Sequence, residues 1–213
     1  MKSTVLIAAA LLLPAVLLAD ESKGASLLMA PTEKVGGVSQ ENWSRDWWQW
    51  AGSFQRFDSP VADRTGRRCG LKQSGAVWFL AGTYGTERTI RTCTIPAGKH
   101  LFFPLINYVV TPRYTNSLTC EQARGTAASI TDGATSLVLE LDGKQFKGLS
   151  IHRQATRECF DLAERSGGGV SPSAANGYYI MLRPLSRGTH TLNFGGILPD
   201  DMSQAVTYTL HVE

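Results

Sequence analysis

Residues 187–213 read RGTHTLNFGGILPDDMSQAVTYTLHVE, and this stretch sets the fold class. Arg187-Gly188 marks a turn. His190, Leu192 and Phe194 then recur at every second position. Val206, Tyr208, Leu210 and Val212 do the same, alternating with Thr207, Thr209 and His211. A period of two is the mark of a strand with one buried face. The stretch from Gly195 to Gln204 between them reads as a loop.

Working outward from this pair, more extended segments follow. Tyr178–Leu185 reads as a strand, preceded by a flexible loop over 165–177 (RSGGGVSPSAANG). Leu137, Leu139 and Leu141 share one face of another, Asp142-Gly143 is a hairpin turn signal, and Phe146–Arg153 is the expected return strand. Leu101–Val110 is apolar and β-branched, with Pro104 pointing to an edge or a bulge. Arg88–Ile95 alternates, with Thr89, Arg91 and Cys93 on one side and Ile90, Thr92 and Thr94 on the other. Ala76–Tyr84 is rich in apolar and aromatic residues. Two helices interrupt the pattern. Ser39 is placed to cap a helix over Gln40–Phe54, which puts Trp43, Trp47, Trp50 and Phe54 on one face and Trp48 off it. Thr119-Cys120-Glu121-Gln122 fits a capping box opening a short helix over Cys120–Ile130. About eight short strands with an N-terminal helix and one short helix predict a mainly β chain, a jelly-roll-like β-sandwich.

The first residues have a different character. Lys2 precedes an apolar run from Val5 to Leu18, and Ala19 stands before Asp20 and Glu21. This is the layout of a signal peptide cut after Ala19. The run is shorter than the ~20 residues that span a bilayer, and Pro14 interrupts it. The expected organisation is a signal peptide over 1–19, a mobile lead-in over 20–38 and one disulfide-stapled domain over 39–213. No membrane span is expected after cleavage, and the place of work is secreted or periplasmic. Four cysteines, Cys69, Cys93, Cys120 and Cys159, fit two disulfides in an exported chain. Of three pairings, the sequential one, Cys69–Cys93 with Cys120–Cys159, is favoured. A formal net charge of +3 with both signs interspersed argues against a nucleic-acid binder.

Four passages carry a resemblance. Asp63, Thr65-Gly66 and Cys69 lead to VWFLAGTYG and then to RTCTIPAGKHLFFPLIN within residues 63–107, and PLSRGTHTLNFGG precedes the last strand. This pattern resembles a set of exported bacterial proteins, each with a Trp-rich N-terminal helix and a β-rich body. The resemblance spans most of the chain beyond the leader. It implies a bacterial, extracytoplasmic setting and brings no activity with it.

For chemistry, the motifs are sparse. GxSxG and SxxK are absent, as are the HExxH and CxxC spacings of metal sites, and His100, His152, His190 and His211 are scattered. His190, beside Leu192 and Phe194, reads as a hydrogen-bonded core histidine. Asp46, Asp63, Glu140, Asp142, Glu158 and Asp161 supply carboxylates without a sequence spacing that marks a pair. The candidate binding residues are Trp48, a stacking platform off the buried helix face, and Arg64, Arg67 and Arg68, a basic loop suited to an acidic ligand. The expected function is non-enzymatic binding of a carbohydrate or of another extracytoplasmic protein, with no cofactor and no metal. A secreted polysaccharide hydrolase or lyase and a self-assembling envelope-associated protein are the two alternatives.

Overall fold

The computed structural model describes residues 26–84, 86–112 and 118–213, so the leader expected at 1–19 lies outside the described residues. Among the described residues, nine strands form two sheets: β1 (Val77–Phe79), β2 (Thr89–Ile95), β3 (His100–Val110), β4 (Thr135–Leu141), β5 (Lys144–Gln145), β6 (Arg153–Ala155), β7 (Ala174–Leu182), β8 (Gly188–Ile197) and β9 (Ser203–Val212). The smaller sheet runs β1-β3-β7-β6 and the larger β2-β9-β8-β4-β5. The expected sandwich is present. Its β1–β3 and β2–β9 pairs are parallel, which an all-antiparallel jelly roll does not contain.

Both sheets send side chains into one core. Phe103, Leu105, Ile180 and Leu182 meet Leu139, Leu192, Phe194, Tyr208 and Leu210 there. The smaller sheet is also covered on its other face by α1 (Gln40–Gly52), whose Trp47 and Trp50 pack with Phe79, Phe102, Tyr179 and Met181. Burial on both faces explains why residues 101–106 of β3 and 178–182 of β7 read as apolar runs without alternation, while β9, covered on one face, alternates strictly. The α1 helix starts where Ser39 Oγ accepts from the Asn42 N–H at 3.3 Å. The second helix, α2 (Cys120–Asp132), opens on the capping box of Thr119 and Gln122. Both expected disulfides are formed, Cys69–Cys93 and Cys120–Cys159. The first ties the 59–75 loop to β2, and the second ties α2 to the segment before β7.

Several local expectations change. The lead-in expected to be mobile is packed from Ser26 on. Met29 is buried and its N–H donates to Met181 O at 3.0 Å, and Arg183 N–H donates to Leu27 O at 2.9 Å, so this segment extends an edge of the smaller sheet. The return strand after Asp142-Gly143 lasts only two residues. The turn itself forms with both residues at positive φ, as a two-residue hairpin requires. The chain then crosses to the other sheet and reappears there as β6. The Ala174–Gly177 end of the expected loop belongs to β7, where small residues fit a strand covered on both sides. A Cβ on Gly177 would stand 2.6 Å from Asn107. Gly195 and Gly196 likewise continue β8 instead of opening a loop, because β9 passes too close for a side chain at Gly195. Of Ala76–Tyr84, only Val77–Phe79 pairs as a strand.

Pro104 does sit at a bulge. The β3–β7 register shifts between Pro104 and Ile106. The side chain of Gln204 clamps the irregularity, with Nε2 donating to Pro104 O at 2.7 Å and Leu105 O at 2.9 Å, while its Oε1 accepts from Thr83 N–H at 3.1 Å. Arg91 is the other polar clamp. It faces inward from β2, is 1% exposed, and donates to the carbonyls of Val61, Asp63, Ala81 and Gly82 and to Tyr208 Oη, at 2.6–3.1 Å. The loop before β1 and the segment after it are therefore fixed to β2 through one guanidinium.

Candidate functional site: an aromatic cleft

Arg91 and Gln204 together hold the segment 81–83, and Tyr84 follows at its end. Tyr84 stands 51% exposed and lines three adjoining cavities of about 230, 370 and 410 Å³. Trp48 and Tyr108 line two of them, and Arg56 and Val61 extend the wall into the third. Phe57, 82% exposed, lies at that end. The result is an open cleft between the C-terminal half of α1, the end of β3 and the segment after β1. At the Trp48 end its walls are mainly aromatic and apolar, with Asn107, Thr83 and Thr111 among the polar groups; the far end is more polar, with Arg56, Arg64 and Glu87.

Trp48 is fixed in this cleft. Its indole N–H donates to Tyr179 Oη at 2.8 Å, and its ring meets Trp47 edge-on with centroids 5.1 Å apart. Asn107 Nδ2 donates to the same Tyr179 oxygen at 3.1 Å. Tyr179 is fully buried and stacks on Phe102, and burial pushes its hydroxyl well above the usual phenol range, against the two hydrogen bonds it accepts. The hydroxyl therefore stays neutral and serves as an anchor that sets the orientation of Trp48 and Asn107. Trp48 is half-buried where the helical pattern placed it off the packed face; its remaining surface belongs to the cleft.

The three arginines do not converge. Arg64 reaches the far rim of the cleft and pairs with Glu87 at 3.1 Å, both side chains well exposed. Arg68 turns the other way, donating to Phe57 O and pairing with Asp58 at 3.4 Å. Arg67 is exposed and lines none of the three cavities. Their loop is shaped by Asp63, whose carboxylate accepts from the N–H groups of Thr65 and Arg68. Burial raises its pKa, but these hydrogen bonds and the nearby Arg91 charge outweigh that and leave it below the ordinary value. Gly66, at positive φ, lets the loop lie against β2, since a Cβ there would stand 2.2 Å from Thr92 O. The residues that spacing alone did not single out are Tyr84, Tyr108, Asn107 and Arg56. The one signal for Tyr84 is an aromatic placed between Gly82 and Gly85 at the end of an extended run.

The carboxylates lie elsewhere. Asp46 pairs with Arg45, Glu140 accepts from Asn193, Asp142 binds His190, and Asp161 accepts from the N–H groups of Ala163, Gly169 and Val170. Asp63 shapes its loop, and Glu158 lines a polar trough of about 1160 Å³ between α1 and residues 156–164. Charges in that trough are largely spoken for, with Arg157 on Glu41 at 3.1 Å and Gln49 on Glu164. None of the six carboxylates lines the aromatic cleft. His190 lies near the start of β8, partly buried, and bridges Asp142 at 2.7 Å and the Ser186 carbonyl at 3.0 Å; it is hydrogen-bonded as expected but does not belong to the core. Among the described residues, no three His, Cys, Asp or Glu side chains gather closely enough to hold a metal ion. No described helix is long and apolar enough to cross a membrane.

No family model matches the chain, and no curated protein matches it. Among solved structures it is similar to a chain in the structure of PbICP-C in complex with falcipain-2, at 9% identity, covering 65% of this chain and 100% of that one, with a TM-score of 0.29. It is also similar to the solution structure of amebosin, at 11% identity over 59% and 96% of the two chains, with a TM-score of 0.23. Likeness at this level carries no argument about what this chain does.

Proposed function

We propose that this protein is an exported, extracytoplasmic binding domain that holds a saccharide chain in the Trp48–Tyr84–Tyr108 cleft. The observation that carries the reading is the half-exposed ring of Tyr84 facing cavities shared with Trp48, on a wall that Arg91, Gln204 and Tyr179 hold rigid from beneath. Flat aromatic faces offer apolar area at little cost in side-chain entropy, and a pyranose ring presents a matching C–H face. Asn107, Thr83 and Thr111 line the cleft where the hydroxyls of such a ring need partners. Two disulfides and the apolar leader support the extracytoplasmic placement. A polysaccharide hydrolase is less well supported, because that chemistry takes a pair of carboxylates, and among the described residues Glu87 alone lines the cleft, where it pairs with Arg64.

The test is a polysaccharide and oligosaccharide array probed with the oxidised protein, beside Trp48→Ala and Tyr84→Ala. Tyr84→Ala should lower affinity ~10-fold, as loss of one stacking face does in a hot spot, while the urea midpoint stays within experimental error. A saccharide that binds both variants as tightly as the parent would place the site elsewhere and sink the proposal.

A further inference from the structure

Arg56 is distinct among the arginines near the cleft. Its guanidinium carbon lies 5.3 Å from the centroid of the Tyr84 ring, it is exposed, and it makes no ion pair among the described residues. Its neighbours are committed, Arg64 to Glu87 and Arg68 to Asp58. The same guanidinium lines two of the three cavities, so it stands on the ridge between them. At the Trp48 end no carboxylate lines the wall, and at the other end Glu87 already faces Arg64. An arginine laid over an aromatic ring keeps its planar fork oriented outward, and that fork matches a carboxylate in two parallel hydrogen bonds.

We propose that the cleft is selective for an acidic saccharide, a uronate-containing chain whose sugar face lies on Tyr84 and Trp48 and whose carboxylate is taken by Arg56. The inference rests on the saccharide reading of the cleft and adds its charge. A neutral sugar would cover Arg56 without replacing its water contacts, which costs affinity. An acidic peptide would satisfy the guanidinium but offers no rigid flat ring to the aromatic walls, so the glycan is favoured.

The experiment is calorimetric titration of the oxidised full chain with tetragalacturonate, with its fully methyl-esterified form and with a hexaglutamate peptide. The ester keeps the sugar shape and removes the charge. Tetragalacturonate should bind at least ~10-fold tighter than its ester, the scale of one charge-assisted bidentate contact. Arg56→Gln should bring the acid down to the affinity of the ester, and Arg56→Lys should recover only part of the difference. Equal affinity for acid and ester, both weakened by Tyr84→Ala, would overturn the charge selectivity and leave the cleft reading standing. Binding of neither saccharide would overturn the uronate proposal, while the cleft reading stands or falls on the wider saccharide array. Binding of hexaglutamate in their place would reassign the site to acidic peptides and overturn both.

Discussion

Replacing Arg91 should damage this protein more than replacing any cleft residue. Five hydrogen bonds leave its guanidinium, to four backbone carbonyls and the Tyr208 hydroxyl, and the side chain is 1% exposed. The carbonyls cannot be deleted with it, so a substitution strands acceptors in the interior. A bond to a charged group nets about 1.5–3 kcal/mol, and five such bonds on one group do not add. Water entering the vacated space would satisfy some carbonyls. Arg91→Ala and the better-filling Arg91→Met should therefore each cost about 3–5 kcal/mol, the usual range for breaking a buried charged contact. Against a total stability of about 5–15 kcal/mol this is a large fraction. Arg91→Lys keeps the charge but reaches fewer carbonyls, and should cost about 2–3 kcal/mol. Urea unfolding of the oxidised protein, followed by tryptophan fluorescence, measures these differences. At a slope of about 2 kcal/mol/M the alanine variant's midpoint should fall by about 2 M. A methionine variant within about 1 kcal/mol of the parent at unchanged slope would refute the reasoning, because it would mean that the carbonyls never depended on the guanidinium.

Other perturbations have expected outcomes. Gln204→Ala removes the clamp on the Pro104 bulge and on Thr83, and should cost about 2–3 kcal/mol in the same assay; it should also weaken any ligand of the cleft. Burial holds His152 below the ordinary histidine value. The unfolded chain then takes up a proton as pH falls below about 6.5 while the folded chain does not, so stability drops toward pH 5; His152→Gln should flatten that slope, with the remainder left to His100, which burial and the Arg183 charge shift the same way. His190 behaves oppositely. Burial lowers its pKa, but the hydrogen bonds to Asp142 and to the Ser186 carbonyl, with the Asp142 charge, together outweigh this and raise it, while the Asp142 contact helps hold that carboxylate low. Its contribution is present below about pH 6.5 and lost as pH rises through the raised value, so His190→Ala should cost more at pH 5 than at pH 8. Mass spectrometry of the secreted form should find Ala19 removed together with everything before it. Peptides from residues 5–18 in the mature protein would overturn the leader.

Much of the fold could be read from the sequence wherever one face of an element is buried and the other is wet. The alternation in β9, the Ser39 cap and the Thr119–Gln122 box all appear as expected. Reading failed where burial is two-sided or where glycine stands for proximity. Ala174–Gly177 has loop composition but is strand because two layers press on it, and Gly195 is in β8 because β9 leaves no room for a Cβ. For the site, Trp48 stood out because it broke the helical stripe, and Arg64 does reach the rim. Arg67 and Arg68 do not, since Asp63 and the Cys69 link turn their loop away. Tyr84, Tyr108 and Arg56 come from three separate elements, and no spacing rule joins residues that only tertiary packing brings together.

The place of β9 has a consequence for how the chain is made. This strand lies between β2 and β8, yet it occupies residues 203–212, more than a hundred positions after its parallel partner. A chain emerging N-terminus first, from a ribosome or through a translocation pore, has β2 out long before β9. Until then the inward side of β2 has no neighbour on that edge, and Arg91 has no Tyr208 to meet. Pairing so remote in sequence is slow, and an unpaired strand is exposed to wrong partners while it waits. Truncation inside 203–212 should consequently remove the middle of the larger sheet and not its fringe, and the yield of folded, correctly oxidised protein should depend on the last strand as strongly as on either disulfide.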